Sequence, residues 1–114
     1  MHELSVMSYL LDEVVGEAQR AHATRVTAIN LVIGERAGIV DEALQYCFGV
    51  LTSDTLAHGA QLNVTRTRMR FACRACASEY APALTEFGCP ACGVVGQLVS
   101  DGTELLIESI EVEQ

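Results

Sequence analysis

Four of the five cysteines fall in two equal spacings, "CRAC" at Cys73 and Cys76 and "CPAC" at Cys89 and Cys92, with twelve residues between the pairs. Two such knuckles joined by a short hairpin bring four thiolates to one point. A tetrahedral sulfur set suits Zn²⁺, whose filled d shell imposes no geometry of its own, with iron of the rubredoxin kind as the chemical rival. Sulfur fills all four positions and leaves none for water or substrate, so the expected metal is structural. Pro90 and Gly93 sharpen the second knuckle, fixing one φ and allowing a positive one. Ala77 stands where Gly93 stands in the second, so the first knuckle is expected to turn less tightly. Neither pair closes a strand and opens a helix, as a thioredoxin-like redox pair requires.

The second concentration of donors is the opening "MHE". It offers the α-amine of Met1, the imidazole of His2, the carboxylate of Glu3, and the backbone amides of His2 and Glu3. Amine, amide and imidazole nitrogens this close form fused chelate rings, and a planar nitrogen set is the preference of Ni(II) or Cu(II). Amides bind only when deprotonated, so affinity should rise with pH. Taken alone, the stretch reads first as an ordinary chain end. His22, near the end of a helix, and His58, before a glycine in a turn, have no spacing that joins them to it.

These residues need a scaffold. From Ser5 to Ala23 the apolar positions Met7, Leu10, Leu11, Val14, Val15, Ala18 and Ala21 follow a helical stripe, with Ser5 or Ser8 as the expected cap. Val26 to Ile33 is β-branched and apolar on both alternations, which predicts a strand covered on at least one face and ending at Gly34. "GERAG" is a turn, after which Asp41 is expected to cap a second helix with the stripe Leu44, Cys47, Phe48 and Leu51. Cys47 thus reads as a small buried hydrophobe rather than a ligand.

Leu62 and Val64 start a strand on one parity, but Arg66, Arg68 and Arg70 continue it while Met69 and Phe71 turn apolar on the other. A buried face cannot change parity without a bulge or a new packing partner, which places a domain boundary there. The same switch between Leu105 and Ile107 on one side and Ile110 and Val112 on the other predicts a bulge near Glu108 or Ser109. The expected architecture is α+β: two helices on a three-stranded sheet, with a zinc-ribbon-like four-cysteine module inserted before the last strand. In residues, 1–67 and 98–114 form one discontinuous domain and 68–97 the cysteine module.

At 114 residues the chain has room for one domain with a small appendage. Seven basic against fifteen acidic side chains give a net charge of −8, which opposes partners held by phosphate neutralisation. Half the residues are apolar and Trp is absent, so Leu, Val, Ile and Ala build the core. No basic segment with an apolar run and cleavage site opens the chain, and no stretch is long enough to span a bilayer. The expectation is a cytoplasmic protein without nucleic acid or membrane as partner, in which closely spaced thiols hold metal rather than form disulfides. No Ser/His/Asp grouping, phosphate loop or open metal position suggests catalysis, so no catalytic residue is assigned. Arg66, Arg68, Arg70 and Arg74 flank the first knuckle and could offset thiolate charge or line a solvated strand edge. They favour one rival function, a zinc-ribbon module that binds nucleic acid or protein. Glu104, Glu108, Glu111 and Glu113 read as a solvated face, with docking to a basic partner surface as the alternative.

The ordered blocks "MHELSVMSYLLDEV", "VIGERAGIVDEALQYCF", "GAQLNV", "CRAC", "CPACG" and "SDGTELLIESIEV" resemble the hydrogenase-maturation nickel-incorporation family (HypA/HybF) over nearly the whole length. The resemblance implies a nickel metallochaperone with Ni(II) as transient cargo bound at Met1, His2 and Glu3. It also implies structural Zn(II) at Cys73, Cys76, Cys89 and Cys92. The partners implied are a nickel-handling maturation GTPase and the precursor of the NiFe-hydrogenase large subunit. Service to urease maturation proteins and a monomer or weak homodimer complete the expectation. Ala37 departs from the "GE-x-S-G" turn of that family, which removes any hydroxyl role there.

Overall fold

The computed structural model describes residues 2–82 and 86–114. In chain order its elements are α1 (Glu3–Arg20), β1 (Arg25–Gly34), α2 (Asp41–Leu51), β2 (Gln61–Thr67), β3 (Arg70–Ala72), β4 (Glu79–Tyr80), β5 (Gln97–Ser100) and β6 (Leu105–Glu113). They make two three-stranded sheets, β2-β1-β6 and β4-β3-β5.

In the first sheet β1 is central, with β2 parallel to it and β6 antiparallel. Parallel neighbours need a crossover, and α2 supplies it. Met7, Leu10, Leu11, Val14 and Ala18 of α1 are buried with Ile29, Leu31 and Ile33 of β1 and with Leu44 and Phe48 of α2. Cys47 is half-buried against this core. On the opposite face of β1 a polar row crosses the sheet: Asn63 Nδ2 donates to Asn30 Oδ1 at 2.9 Å, and Asn30 Nδ2 to Ser109 Oγ at 3.0 Å.

The helix boundaries differ from the sequence expectation. Helix α1 begins at Glu3, with His2 as the N-cap, so Ser5 and Ser8 lie inside it. An acidic first residue suits the positive end of the helix, and Glu3 is fixed by a distant contact described below. Its far end closes with Ala23 N–H bonded to the Ala18 carbonyl at 2.9 Å and His22 N–H to the Gln19 carbonyl at 3.0 Å. His22 takes the left-handed position at φ 57° that this closure requires. In α2 the N-cap is Val40, and Asp41 is the first helical residue rather than the cap.

Both parity switches have structural counterparts. Opposite Asn30 lies Ser109 but opposite Leu31 lies Ile107, so Glu108 is the extra residue of a β-bulge. β2 ends at Thr67 and the chain enters the second sheet at Arg70. There Phe71 stacks on Tyr80 at 5.8 Å between ring centroids and meets Phe87 at 6.0 Å. The Tyr80 hydroxyl donates to the Phe87 carbonyl at 2.7 Å and accepts from the Gly96 N–H at 2.9 Å. Leu98 pairs with Phe71, so residues 98–100, grouped by sequence with the larger unit, run in the second sheet, and pairing with β1 starts at Leu105.

The chain crosses between the sheets at residues 67–70 and again at 100–105, and the turn after β1 holds both crossings. Glu35 N–H donates to the Thr67 carbonyl at 2.7 Å, and Glu35 Oε1 accepts from the Met69 N–H at 3.1 Å. Arg36 N–H donates to the Gly102 carbonyl at 2.7 Å and its Nη1 to the Asp101 carbonyl at 3.1 Å. The approach is close: a Cβ on Gly34 would lie 2.0 Å from the Gly102 oxygen, so only glycine fits.

Candidate metal centres

The two cysteine pairs are built alike. Cys73 N–H donates to the Ser78 carbonyl and Ala77 N–H to the Cys73 carbonyl, both at 2.9 Å. In the second pair Cys89 N–H donates to the Val94 carbonyl at 3.0 Å and Gly93 N–H to the Cys89 carbonyl at 2.7 Å. Ala77 at φ 63° and Gly93 at φ 76° occupy the same left-handed position. The first knuckle therefore turns as tightly as the second, contrary to the expectation from its missing glycine. The closing bonds impose the turn, and Ala77 carries the steric cost.

All four ligand atoms of Cys73, Cys76, Cys89 and Cys92 lie within 4.8 Å of one another. Four sulfurs at about 2.3 Å from a tetrahedral centre stand about 3.8 Å apart. Cys76 and Cys89 Sγ are 3.8 Å apart, the spacing of two ligands on such an ion, and the other pairs lie within 4.8 Å. Cys73 and Cys89 are buried, whereas Cys76 and Cys92 face solvent. The Ser78 hydroxyl, 2.8 Å from Cys76 Sγ, and then the Ser78 N–H draw the Cys76 thiol down to about 6. Hydrogen bonding to Cys76 and then Cys73 pushes the Cys92 thiol up to about 12. One thiol lowered beside one raised means that the cluster shares protons, since four thiolates repel one another. A divalent cation at the centre relieves that repulsion and lets all four ionise.

The flanking arginines serve other groups. Arg66 meets Asp41 at 2.9 Å, Arg68 meets Glu35 at 3.7 Å, and Arg70 meets Glu79 at 3.5 Å. Arg74 is exposed between Cys73 and Cys76. The basic cluster that favoured a nucleic-acid reading is thus largely matched by carboxylates of the same chain.

At the other candidate centre Met1 lies outside the described residues. His2 is exposed, and its carbonyl accepts the Val6 N–H at 2.9 Å. The first N–H groups of an α-helix have no carbonyl within the helix to serve, so amide nitrogens at this end can change partner without breaking it. Glu3 behaves differently from its neighbour: it is only 5 % exposed, and its Oε2 accepts the Val40 N–H at 2.8 Å. The peptide group that supplies this N–H is also held from its other end, where Arg66 Nη2 donates to the Ile39 carbonyl. Arg66 Nη1 adds a bond to the Gly34 carbonyl at 3.0 Å. Nothing in the sequence points to these contacts, because Glu3 and Val40 are 37 residues apart and follow no shared period.

The other histidines stay apart from His2. The eighteen residues of α1, about 27 Å of helix, separate it from His22. His58 lies beyond the far end of α2, whose near end is the one Glu3 contacts. Glu104 is not part of a solvated face as expected; it is half-buried and accepts from the Ser100 hydroxyl at 2.8 Å, whereas Glu108, Glu111 and Glu113 are exposed. No helix is long and apolar enough to cross a membrane among the described residues.

Comparison with known proteins agrees with this architecture. The family model for hydrogenase/urease nickel incorporation, metallochaperone, hypA, matches residues 1–112. Hydrogenase maturation factor HypA of Dehalococcoides mccartyi is 42% identical over 113 residues, covering 99% of this chain and 95% of that protein. Its counterpart in Caldanaerobacter subterraneus subsp. tengcongensis is 42% identical over 114 residues, covering 99% of this chain and all of the relative. The solution structure of the Ni metallochaperone HypA from Helicobacter pylori has the same fold, with a TM-score of 0.68 at 24% identity over 99% of this chain and 98% of that one. The chain belongs to the HypA family of nickel-incorporation metallochaperones, with a four-cysteine metal site built into its second sheet.

Proposed function

We propose that this protein binds Ni(II) at its N-terminus and hands it on during hydrogenase maturation, while Cys73, Cys76, Cys89 and Cys92 hold structural Zn(II). In this reading the cargo is taken by the α-amine of Met1, the amides of His2 and Glu3, and the His2 imidazole. The observation that carries it is the position of His2: exposed, at the N-cap of a helix whose first amides have no helical carbonyl to serve. Such nitrogens suit a planar set, and the closed thiolate cluster suits a tetrahedral one, so the two metals select different sites. Cargo can then leave without disturbing the fold.

The division of labour follows the two sheets. Residues 1–67 with the returning strand form the nickel-binding domain, and 68–97 form the core of the zinc domain. The receiving partners are a nickel-handling GTPase and the large-subunit precursor of a NiFe-hydrogenase, in the cytoplasm, with urease maturation proteins as a second destination. The chaperone itself acts as a monomer or weak homodimer and exchanges metal without turnover.

The test is metal analysis of zinc-loaded, untagged protein titrated with nickel. His2→Ala should abolish nickel binding and leave one zinc per chain. Cys73→Ala should lose the zinc and unfold the cysteine module. Retention of nickel by the His2 variant, or of stoichiometric zinc by the Cys73 variant, overturns the corresponding assignment.

A further inference from the structure

We propose that the free edge of β6, beside helix α1, is a docking groove for an extended segment of a basic partner protein, which adds a strand to the first sheet and sets cationic side chains against Glu13, Glu17 and Glu108. The proposal does not depend on where nickel binds.

Strand β6 has β1 on one side and no strand on the other among the described residues. A strand in that position leaves a row of backbone N–H and C=O groups without a ladder partner, and such a row is a template for another strand. Glu108, the extra residue of the bulge, has no partner on β1 either. The opposite edge of the sheet is treated differently: there Gln45 of α2 reaches β2, and its Nε2 donates to the Leu62 carbonyl at 3.1 Å.

Beside the free edge lies a cleft of about 290 Å³, lined by Glu13, Val14 and Glu17 of α1 and by residues 107–110 of β6. Val14 is buried and Ile107 and Ile110 are half-buried, so the floor is apolar. Carboxylates form the rim, since Glu13, Glu17 and Glu108 are all exposed. Glu17 pairs with Arg20 at 2.7 Å, a solvent-exposed contact that is readily exchanged. Glu13 and Glu108 form no ion pair among the described residues.

A strand laid along β6 sets every second side chain on the helix side of the sheet, because strand side chains alternate between faces. Lysine and arginine suit those positions: their stems cover the apolar floor and their charged ends reach the carboxylates. Self-association is disfavoured at the same edge. Two β6 strands side by side bring Glu108, Glu111 and Glu113 of both chains together, and each chain carries a net charge of −8. The occupant is therefore a basic chain rather than a second copy.

The probe is a fluorescent synthetic peptide of about eight residues, long enough for one strand, in which lysine alternates with valine or threonine. One control peptide has glutamate for lysine. The other is N-methylated at every amide, which keeps the charge and removes the donors that a strand needs. Binding to zinc-loaded protein is read by fluorescence anisotropy, and the edge by amide exchange along β6 and β2. The lysine peptide should bind and slow exchange within residues 105–113 but not within 61–67. Glu13→Gln, Glu17→Gln and Glu108→Gln combined should weaken it about tenfold or more, as should about 0.5 M salt. Neither control peptide should bind. Equal binding of the N-methylated peptide means attraction by charge alone and overturns strand addition. Undiminished binding to the triple variant, or protection of β2 instead of β6, overturns the groove. Absence of binding by the lysine peptide overturns the proposal outright. Protection of β6 that grows with protein concentration in the absence of peptide, with a matching rise in mass by analytical ultracentrifugation, makes a second copy the occupant and overturns it as well.

Discussion

Glu3 and Arg66 hold opposite ends of one peptide group, the carboxylate at the Val40 N–H and the guanidinium at the Ile39 carbonyl. Arg66 lies on β2, one residue before the chain starts to cross toward the second sheet. The N-terminus and the first crossing to the cysteine module are thus fastened to the same short segment, Gly34–Asp41.

Arg66→Lys should destabilise the larger unit by about 1.5–3 kcal/mol, measured by urea unfolding of zinc-loaded protein. Lysine keeps the charge, but a single ammonium cannot reach the Gly34 and Ile39 carbonyls and Asp41 together in the way a planar fork can. Because Glu3 and Arg66 share a peptide group, the effects of Glu3→Ala and Arg66→Lys should be non-additive in a double-mutant cycle. Strict additivity would mean that each side chain acts through its own separate neighbours.

Ala77→Gly should stabilise the zinc-loaded cysteine module by about 0.5–1 kcal/mol. The left-handed conformation costs an L-residue about 1–2 kcal/mol, and the extra freedom of glycine in the unfolded chain returns part of that. Gly93→Ala should lose a similar amount, since a Cβ there meets nothing within 4 Å and only the backbone term remains. Thermal unfolding of the three proteins with zinc bound gives both signs. Equal stability of native and Ala77→Gly would show that the first knuckle relaxes away from φ 63° in solution.

How far the sequence carries depends on whether a feature leaves a period. The stripe Met7, Leu10, Leu11, Val14, Ala18 faces the core because a helix repeats every 3.6 residues, and Ile29, Leu31 and Ile33 of β1 share the core face because a strand repeats every two. Even the bulge at Glu108 was legible, since an extra residue switches the apolar parity from Leu105 and Ile107 to Ile110 and Val112. The cysteine cluster was legible from spacing alone. What has no period stayed hidden. Glu3 is a polar residue buried by a partner 37 positions away, and an isolated long-range hydrogen bond leaves no repeat in the chain. The arginines near Cys73 look like one basic cluster along the chain, but each turns to a different carboxylate in space. The left-handed Ala77 was misjudged because the ring of backbone bonds around the knuckle outweighs a residue preference of about 1–2 kcal/mol.

Acid should weaken the junction between the sheets through Glu104. Its own backbone N–H and then the Ser100 hydroxyl hold its carboxyl below the ordinary value of 4.5. The folded state therefore releases its proton more readily than the unfolded chain. This contribution to stability is full above pH 4.5 and is lost as pH falls through the lower folded value. Glu104→Gln should thus be less stable than native protein at pH 7, and the gap should close on acidification below pH 5. Taking the difference between two zinc-loaded proteins at each pH removes the common effect of protonating the thiolates. A gap that stays constant down to pH 3 would mean that the Glu104 carboxyl titrates alike in folded and unfolded chains.

The most direct test of the nickel site alters no side chain at all. In the proposed site the Met1 amine starts the chelate. One glycine added ahead of Met1 keeps His2 as the N-cap of α1, keeps the Glu3 contact to Val40, and leaves the cysteine cluster untouched. It converts the Met1 amine into an amide and moves the free amine one residue outward. The ring sizes of the chelate then change, and one more amide must lose a proton for nickel to bind. The positive end of α1 tolerates anionic amides, so the helix sets no obstacle to the extended chelate. The extended chain should show a large loss of nickel affinity near neutral pH, a shifted absorption band, and a steeper rise of affinity with pH, with zinc content unchanged. Affinity and band equal to those of the native chain would show that the Met1 amine takes no part, and that side chains with downstream amides form the site.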